Sequence, residues 1–99
     1  MPGRTAFRLD IPPHVAEVIR HLPPDLKHGV KAALRSLSAD PQRGVPLRRE
    51  LEGLHKYRVR RFRIVYSIHQ GKRLLRVVAV GHRRDIYDVV SSLVHRGSS

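Results

Sequence analysis

From Leu74 to Val80 every residue except Arg76 is apolar. A run of that length fits a strand, and a strand apolar on both sides of its pleat needs cover on both faces. That requirement dominates a chain of 99 residues. A domain this small buries only roughly two-thirds of its unfolded surface. The expectation is one domain, residues 1–99, built as a small sheet with helices laid against it.

The rest of the pattern supplies those helices. Phe7, Leu9 and Ile11 alternate with polar residues over 5–11 and predict a strand. Pro12 and Pro13 stop it, and Pro13 is well placed to open a helix. Val15, Val18, Ile19 and Leu22 recur at helical spacing across 14–22. Pro23 and Pro24 then end that helix and start another over 25–39, whose stripe is Leu26, Val30, Ala33, Leu34 and Leu37. Two antiparallel helices are expected. Residues 40–44 read as a turn and 45–54 mostly as loop. Tyr57 to Arg60 is apolar at odd positions and Phe62 to Ile68 at even ones, so the phase flips at Arg60-Arg61 and a tight turn or bulge belongs there. Gln70-Gly71-Lys72 reads as a hairpin turn, and Gly81-His82-Arg83 as the end of the last strand. Ile86, Val89, Val90, Leu93 and Val94 mark a final helix over 85–96, with Arg96 at its last turn and Gly97 as its stop. The order is β-α-α-β-β-β-α: an α+β fold with a small antiparallel sheet packed against a helical hairpin and a C-terminal helix.

Charge narrows the function. Lys and Arg number 20 against 8 acids, a net charge of +12, and 16 of the 20 are Arg. Arg offers a planar fork that grips phosphate through two bonds and stacks on bases. Twelve of the basic residues, with only two acids, fall between Arg48 and Arg84, the sheet region. Side chains on one sheet face project in parallel, so several guanidinium groups can converge there and hold a polyanion. Other classes drop out. No cysteine is present, which removes disulfides, thiol nucleophiles and Cys-based zinc sites. The seven His lack metal-ligand spacing and no Gly-rich phosphate loop occurs, so no metal and no cofactor is expected. No stretch approaches the ~18 apolar residues of a membrane span, and residues 1–10 lack the apolar core of a secretion signal.

Leu51-Glu52-Gly53-Leu54, His55-Lys56-Tyr57-Arg58-Val59, Arg61-Phe62-Arg63-Ile64-Val65-Tyr66 and Val78-Ala79-Val80-Gly81-His82-Arg83-Arg84 with Tyr87 resemble the RelE/ParE toxin superfamily, over about residues 5–95. These are toxins of prokaryotic toxin–antitoxin pairs, so the resemblance implies a cytoplasmic protein. It also implies one of two activities. The RelE branch is a ribosome-dependent endoribonuclease that cuts mRNA in the A site and stops translation. The ParE branch poisons DNA gyrase without nuclease chemistry. A plain nucleic-acid-binding module is a third reading.

Carried over position by position, the resemblance assigns a metal-independent catalytic kit. Arg63 matches the strand Arg that grips the phosphate. Arg83 matches the Arg assigned to the leaving group. Tyr87 matches the Tyr that stacks on a base and takes the 2′ proton. Lys56 matches one of two strand residues that are usually Lys; the other is Arg58 here, too basic to shuttle protons readily but able to stabilise charge. Arg60, Arg61, Arg76 and Arg84 are the further residues expected on RNA. The presence together of Lys56, Arg63, Arg83 and Tyr87 favours the RelE branch. The implied partners are mRNA and rRNA in the A site, and an antitoxin whose acidic amphipathic segment pairs with the Arg cluster. His55 and His82 carry no assigned role.

The charge distribution predicts that RNA binds mainly through phosphates. Affinity measured from low to high salt should fall with a log–log slope of about −0.7 per phosphate contacted on a single strand. A flat salt dependence contradicts a polyanion-binding surface.

Overall fold

The computed structural model describes residues 6–98, with side chains through residue 94. Thr5, which opens the expected first strand, and the side chain of Arg96 lie outside the described residues. The elements are β1 (Arg8–Asp10), α1 (Pro13–Arg20), α2 (Pro24–Ala39), β2 (Val45–Pro46), β3 (Leu54–Val59), β4 (Phe62–His69), β5 (Leu74–His82) and α3 (Ile86–Ser98). Short 3-10 turns occupy Pro41–Arg43 and Arg49–Leu51. Each proline pair works as its chemistry dictates: Pro12 and Pro23 are extended at the N-cap, and Pro13 and Pro24 are the first helical residues.

Five strands form one sheet in the order β1-β5-β4-β3-β2. The four strands β2 to β5 are antiparallel, as the hairpin turns require, but β1 runs parallel to β5. The sheet is therefore mixed, where hairpins alone suggested an antiparallel one. The cause is connectivity. The helical hairpin carries the chain from the β1 edge to the opposite edge, and three antiparallel steps return it beside β1 pointing the same way.

The two faces bury different cores. Val15 and Ile19 of α1 and Val30, Leu34 and Leu37 of α2 close on Ile64, Tyr66, Leu75, Val77 and Val80. On the other face Ile86 and Val90 of α3 close on Val65 and Ala79, with Leu47, Leu51 and Leu54 at the border. A bulge explains the unbroken apolar run in β5. Val65 pairs with Ala79 but Tyr66 with Val77, which leaves Val78 as the extra residue. Val77 and Val80 thus serve the first core, and Val78 and Ala79 the second.

Three boundaries depart from the sequence reading. Residues 45–54, expected as loop, supply β2, a 3-10 turn and the start of β3, because Leu47, Leu51 and Leu54 are needed over the α3 core. β5 continues through Gly81 and His82. Gly81 is there for close packing: a Cβ on it would lie 3.2 Å from Ile86 Cδ1, so its absence lets α3 sit low on the sheet. α3 runs through Gly97 to Ser98, since glycine in a helix costs only about 1 kcal/mol. The phase flip resolves as a two-residue hairpin loop, with Val59 opposite Phe62 and Arg60 at φ 57°. Such loops need positive φ at the first central position.

Tyr66 ties the 41–46 segment to the sheet. Its buried hydroxyl donates to the Pro41 carbonyl at 2.7 Å and accepts from the Gly44 N–H at 3.0 Å. A Cβ at Gly44 would overlap that hydroxyl and come within 2.8 Å of the Lys56 carbonyl oxygen. Tyr66→Phe should therefore destabilise by about 1–3 kcal/mol, the cost of orphaning buried partners. Gly44→Ala should cost at least as much, because backbone must move. Chemical denaturation checks both; a neutral Gly44→Ala contradicts the packing described.

Candidate nucleic-acid interface

The alternation of β3 and β4 sorts the basic side chains. Tyr57 and Val59 turn toward the helical hairpin, so Lys56 and Arg58 turn toward the α3 face. Ile64 and Tyr66 face the hairpin likewise, which puts Arg63 with Lys56 and Arg58. Arg58 and Arg63 are direct cross-strand partners, and Arg63 is in turn opposite Gly81 on β5. Like charges directly opposite each other destabilise a sheet. Arg58 and Arg63 thus set two cations side by side on β3 and β4, with a glycine as the next residue in the row on β5.

α3 closes one side of that row. Tyr87, half-buried, packs against the Val65–Ile86 cluster. The Lys56 ammonium lies 5.8 Å from the Tyr87 ring centroid, a cation–π approach. Arg63 is held in place before any ligand arrives: its Nη1 donates to the carbonyl oxygens of Phe62 at 2.9 Å and Arg60 at 3.1 Å. Among the described residues only that nitrogen is committed, so most of the guanidinium's five donors stay available. Arg83, exposed, follows β5 directly, and its backbone N–H donates to the Arg61 carbonyl at 2.7 Å. The ladder between β4 and β5 thereby extends to the turn that carries Arg83.

Lys56, Arg58, Arg63 and Tyr87 thus share one face, and Arg83 stands at its end. Arg60 and Arg61 occupy the hairpin tip, exposed. Arg84 is exposed in the turn before α3. Arg76 is set apart: its Nε donates to Asp10 at 2.7 Å, and it pairs with Ser67, far along β4 from Phe62. Among the described residues, no three His, Asp or Glu side chains gather as a metal site. Asp25, which the sequence reading passed over, comes close to the hairpin tip; it lines a cleft there with Arg60, Arg61 and His82. No local pattern signals this, because the contact joins residues more than thirty positions apart.

The two histidines near the site have structural surroundings. His82 meets Phe62 edge to face at 5.7 Å, and its Nδ1 accepts from the Arg84 N–H at 3.2 Å. His55 stacks on Tyr66 at 5.4 Å, on the face away from Lys56. Among the described residues its buried Nδ1 has no hydrogen-bond partner, and burial pulls its pKa below the ordinary 6.5.

The chain has known relatives. Residues 13–87 match the family described as the ParE toxin of type II toxin–antitoxin systems. The chain belongs to that family, within the RelE/ParE toxin superfamily, and is the toxin component of such a system. Among solved structures it is similar to the RelBE2 toxin–antitoxin complex from Mycobacterium tuberculosis, with 27% identity over 83% of this chain and 97% of that one, at a TM-score of 0.71. A mutant of the toxin RelE from E. coli in the free state superposes at a TM-score of 0.74, with 21% identity over 93% of this chain and 97% of that chain. The archaeal RelE–RelB complex from Pyrococcus horikoshii gives 0.67 at 16% identity, covering 80% and 97%. No curated protein sequence matches significantly. No helix among the described residues is long and apolar enough to cross a membrane.

The His55 environment carries a pH signature. Its folded pKa is lowered, so below the ordinary 6.5 the unfolded chain binds the proton first. Stability should fall as pH drops through about 6.5. His55→Phe should flatten that limb when thermal midpoints are compared between pH 7.5 and 5.5. An identical acid slope in both proteins contradicts the assignment.

Proposed function

We propose that this toxin is a ribosome-dependent mRNA endoribonuclease of the RelE type. The observation that carries the reading is the Arg58–Arg63 pair. Two cations are kept directly opposite each other at a cost in sheet stability, beside a lysine and a tyrosine that reach the same face. An anion between them turns repulsion into binding.

The reaction needs a proton taken from the 2′-OH, stabilisation of the phosphorane dianion, and a proton given to the 5′ oxygen. The 2′ oxygen then bonds to phosphorus as the phosphorus–5′-oxygen bond breaks. The products are a 2′,3′-cyclic phosphate and a 5′-OH. Arg63, oriented by its two backbone carbonyl contacts, grips the non-bridging oxygens, and Arg58 adds charge opposite it. Preorganised cations of this kind usually supply the largest share of the acceleration. Tyr87 stacks on a base, and its hydroxyl oxygen takes the 2′ proton as the phenol proton passes to water, with the Lys56 charge beside its ring; Arg83 steadies the charge on the departing 5′ oxygen, which takes its proton from water. Acid–base assistance is worth about 10²–10⁴-fold. We also assign the chain an antitoxin partner with an acidic amphipathic segment, in keeping with the RelB-bound relatives. A groove between α1 and α2, floored by Ile11, Ile19 and Leu34 and rimmed by Arg20, Lys27 and Lys31, suits such a segment.

The second reading is gyrase inhibition without catalysis. It is favoured by the ParE family match and by Arg58 standing where the nuclease branch usually has Lys.

Substitutions separate the two. Arg63→Ala and Arg83→Ala should each abolish growth arrest and mRNA cleavage, mapped as new in-frame 5′ ends in expressing cells, while leaving the melting transition in place. Tyr87→Phe should retain more activity than Tyr87→Ala if stacking dominates, and equal losses identify the hydroxyl as the proton acceptor. Full toxicity of all these variants rejects the nuclease reading.

A further inference from the structure

On the helical-hairpin side of the sheet, at the tip of β3–β4, a cleft of about 520 Å³ opens between the start of α2 and the sheet end. Its apolar wall is Leu26 and Phe62, with His82 edge-on to the Phe62 ring at 5.7 Å. Arg60 and Arg61 stand on one side and Asp25 on another. Among the described residues none of these three charges has an ion-pair partner within 4.0 Å. A cleft that presents both signs of charge unneutralised around an aromatic floor is shaped for a ligand that is itself apolar, anionic and hydrogen-bond donating in different parts. A nucleotide is such a ligand: a base with a π-face, a phosphate, and an exocyclic amine that donates to a carboxylate.

Two further observations tie the cleft to RNA. Arg60 sits at φ 57°, where glycine would be relaxed. The two-residue loop requires that conformation, and the loop sets the Arg60 guanidinium at the cleft mouth. The cleft is also joined to the opposite face by backbone. The Arg60 carbonyl accepts from Arg63 Nη1 at 3.1 Å, and the Arg61 carbonyl from the Arg83 N–H at 2.7 Å. A strand crossing the rim of the sheet passes from one face to the other over these residues.

We propose that this cleft is a nucleotide-recognition subsite for single-stranded RNA, taking an amino-bearing base that neighbours the one at the reacting phosphate. The base stacks on Phe62, its amino group donates to Asp25, and Arg60 and Arg61 bind its phosphate. The proposal rests on the RNA-cleaving reading of the adjacent face. An acidic peptide is the poorer occupant, because the Asp25 carboxylate repels it and offers it nothing to accept.

The test uses the full chain in ¹H–¹⁵N NMR titrations with 2′-O-methyl hexanucleotides, which lack the attacking 2′-OH. Oligo-C should move the amide signals of Leu26, Arg61, Phe62 and His82, and bind at least about 5-fold tighter than oligo-U. Asp25→Ala, which removes the acceptor, should abolish that preference. Arg60→Gly, which suits the backbone, should weaken both oligomers by about 5-fold without lowering the melting temperature. Shifts confined to the Lys56, Arg58 and Tyr87 face overturn the subsite and leave the nuclease reading intact, as does a preference that survives Asp25→Ala. Cleft signals moved by a short poly-glutamate but not by RNA overturn it in favour of a protein partner. Absence of RNA-induced shifts on either face overturns both readings.

Discussion

The β4–β5 pair is buried on both faces, and the remainder of the molecule is arranged around that constraint. Ile64, Val65, Tyr66, Leu75 and Val77 are fully inaccessible. Side chains alternate across the pleat, so two cores are needed to cover them. The helical hairpin supplies one and α3 the other. Burying an aliphatic side chain of this size is worth about 1.5–3 kcal/mol each, and this small domain has few other large sources of stability. The bulge at Val78 belongs to the same constraint, because it lets consecutive apolar residues be divided between the two faces.

That arrangement sends the densest positive charge to one end of the sheet. The middle of the sheet is covered, so arginines collect at the end of the sheet and on the turns beyond it. There they crowd: Arg58 faces Arg63, and Arg60 and Arg61 follow each other through a two-residue loop with one of them in a left-handed conformation. Each feature costs stability in the free chain. An anionic ligand removes most of the repulsive part. The geometry is that of a protein whose surface is more favourable when occupied than when empty, which suits both an RNA-binding toxin and its neutralisation by an acidic partner.

Much of this could be read in the sequence, for identifiable reasons. The helices were legible because Pro12-Pro13 and Pro23-Pro24 punctuate clean 3.6-residue stripes. The Arg60-Arg61 turn was legible because a change of phase in period-2 alternation has few physical explanations. Residues 45–54 were not legible: Leu47, Leu51 and Leu54 sit at helical spacing, i, i+4 and i+7, in a segment that forms β2, a 3-10 turn and the start of β3, and their place is set by an α3 face that lies far away in sequence. The parallel pairing of β1 is a property of connectivity, with no local signal. Among the candidate site residues, resemblance supplied Lys56, Arg63, Arg83 and Tyr87; alternation grouped Arg58 with Arg60 and Arg61 with Arg63, and only the β3–β4 register brings Arg58 opposite Arg63. The Lys56–Tyr87 approach and the Asp25 cleft depend on packing between separate elements, and alternation within one element says nothing about that. Arg76 shows the limit from the other side, since composition cannot reveal that Asp10 holds it.

The central claim is that the cationic face performs RNA transesterification. Its most direct measurement is the chemistry of the cut ends when purified toxin meets ribosomes programmed with a defined mRNA, in the presence of enough magnesium to hold the ribosome together. The account predicts in-frame cleavage within the A-site codon, a 2′,3′-cyclic phosphate on the upstream fragment and a 5′-OH on the downstream one. An mRNA that stays intact while the same preparation blocks DNA gyrase supercoiling would contradict it.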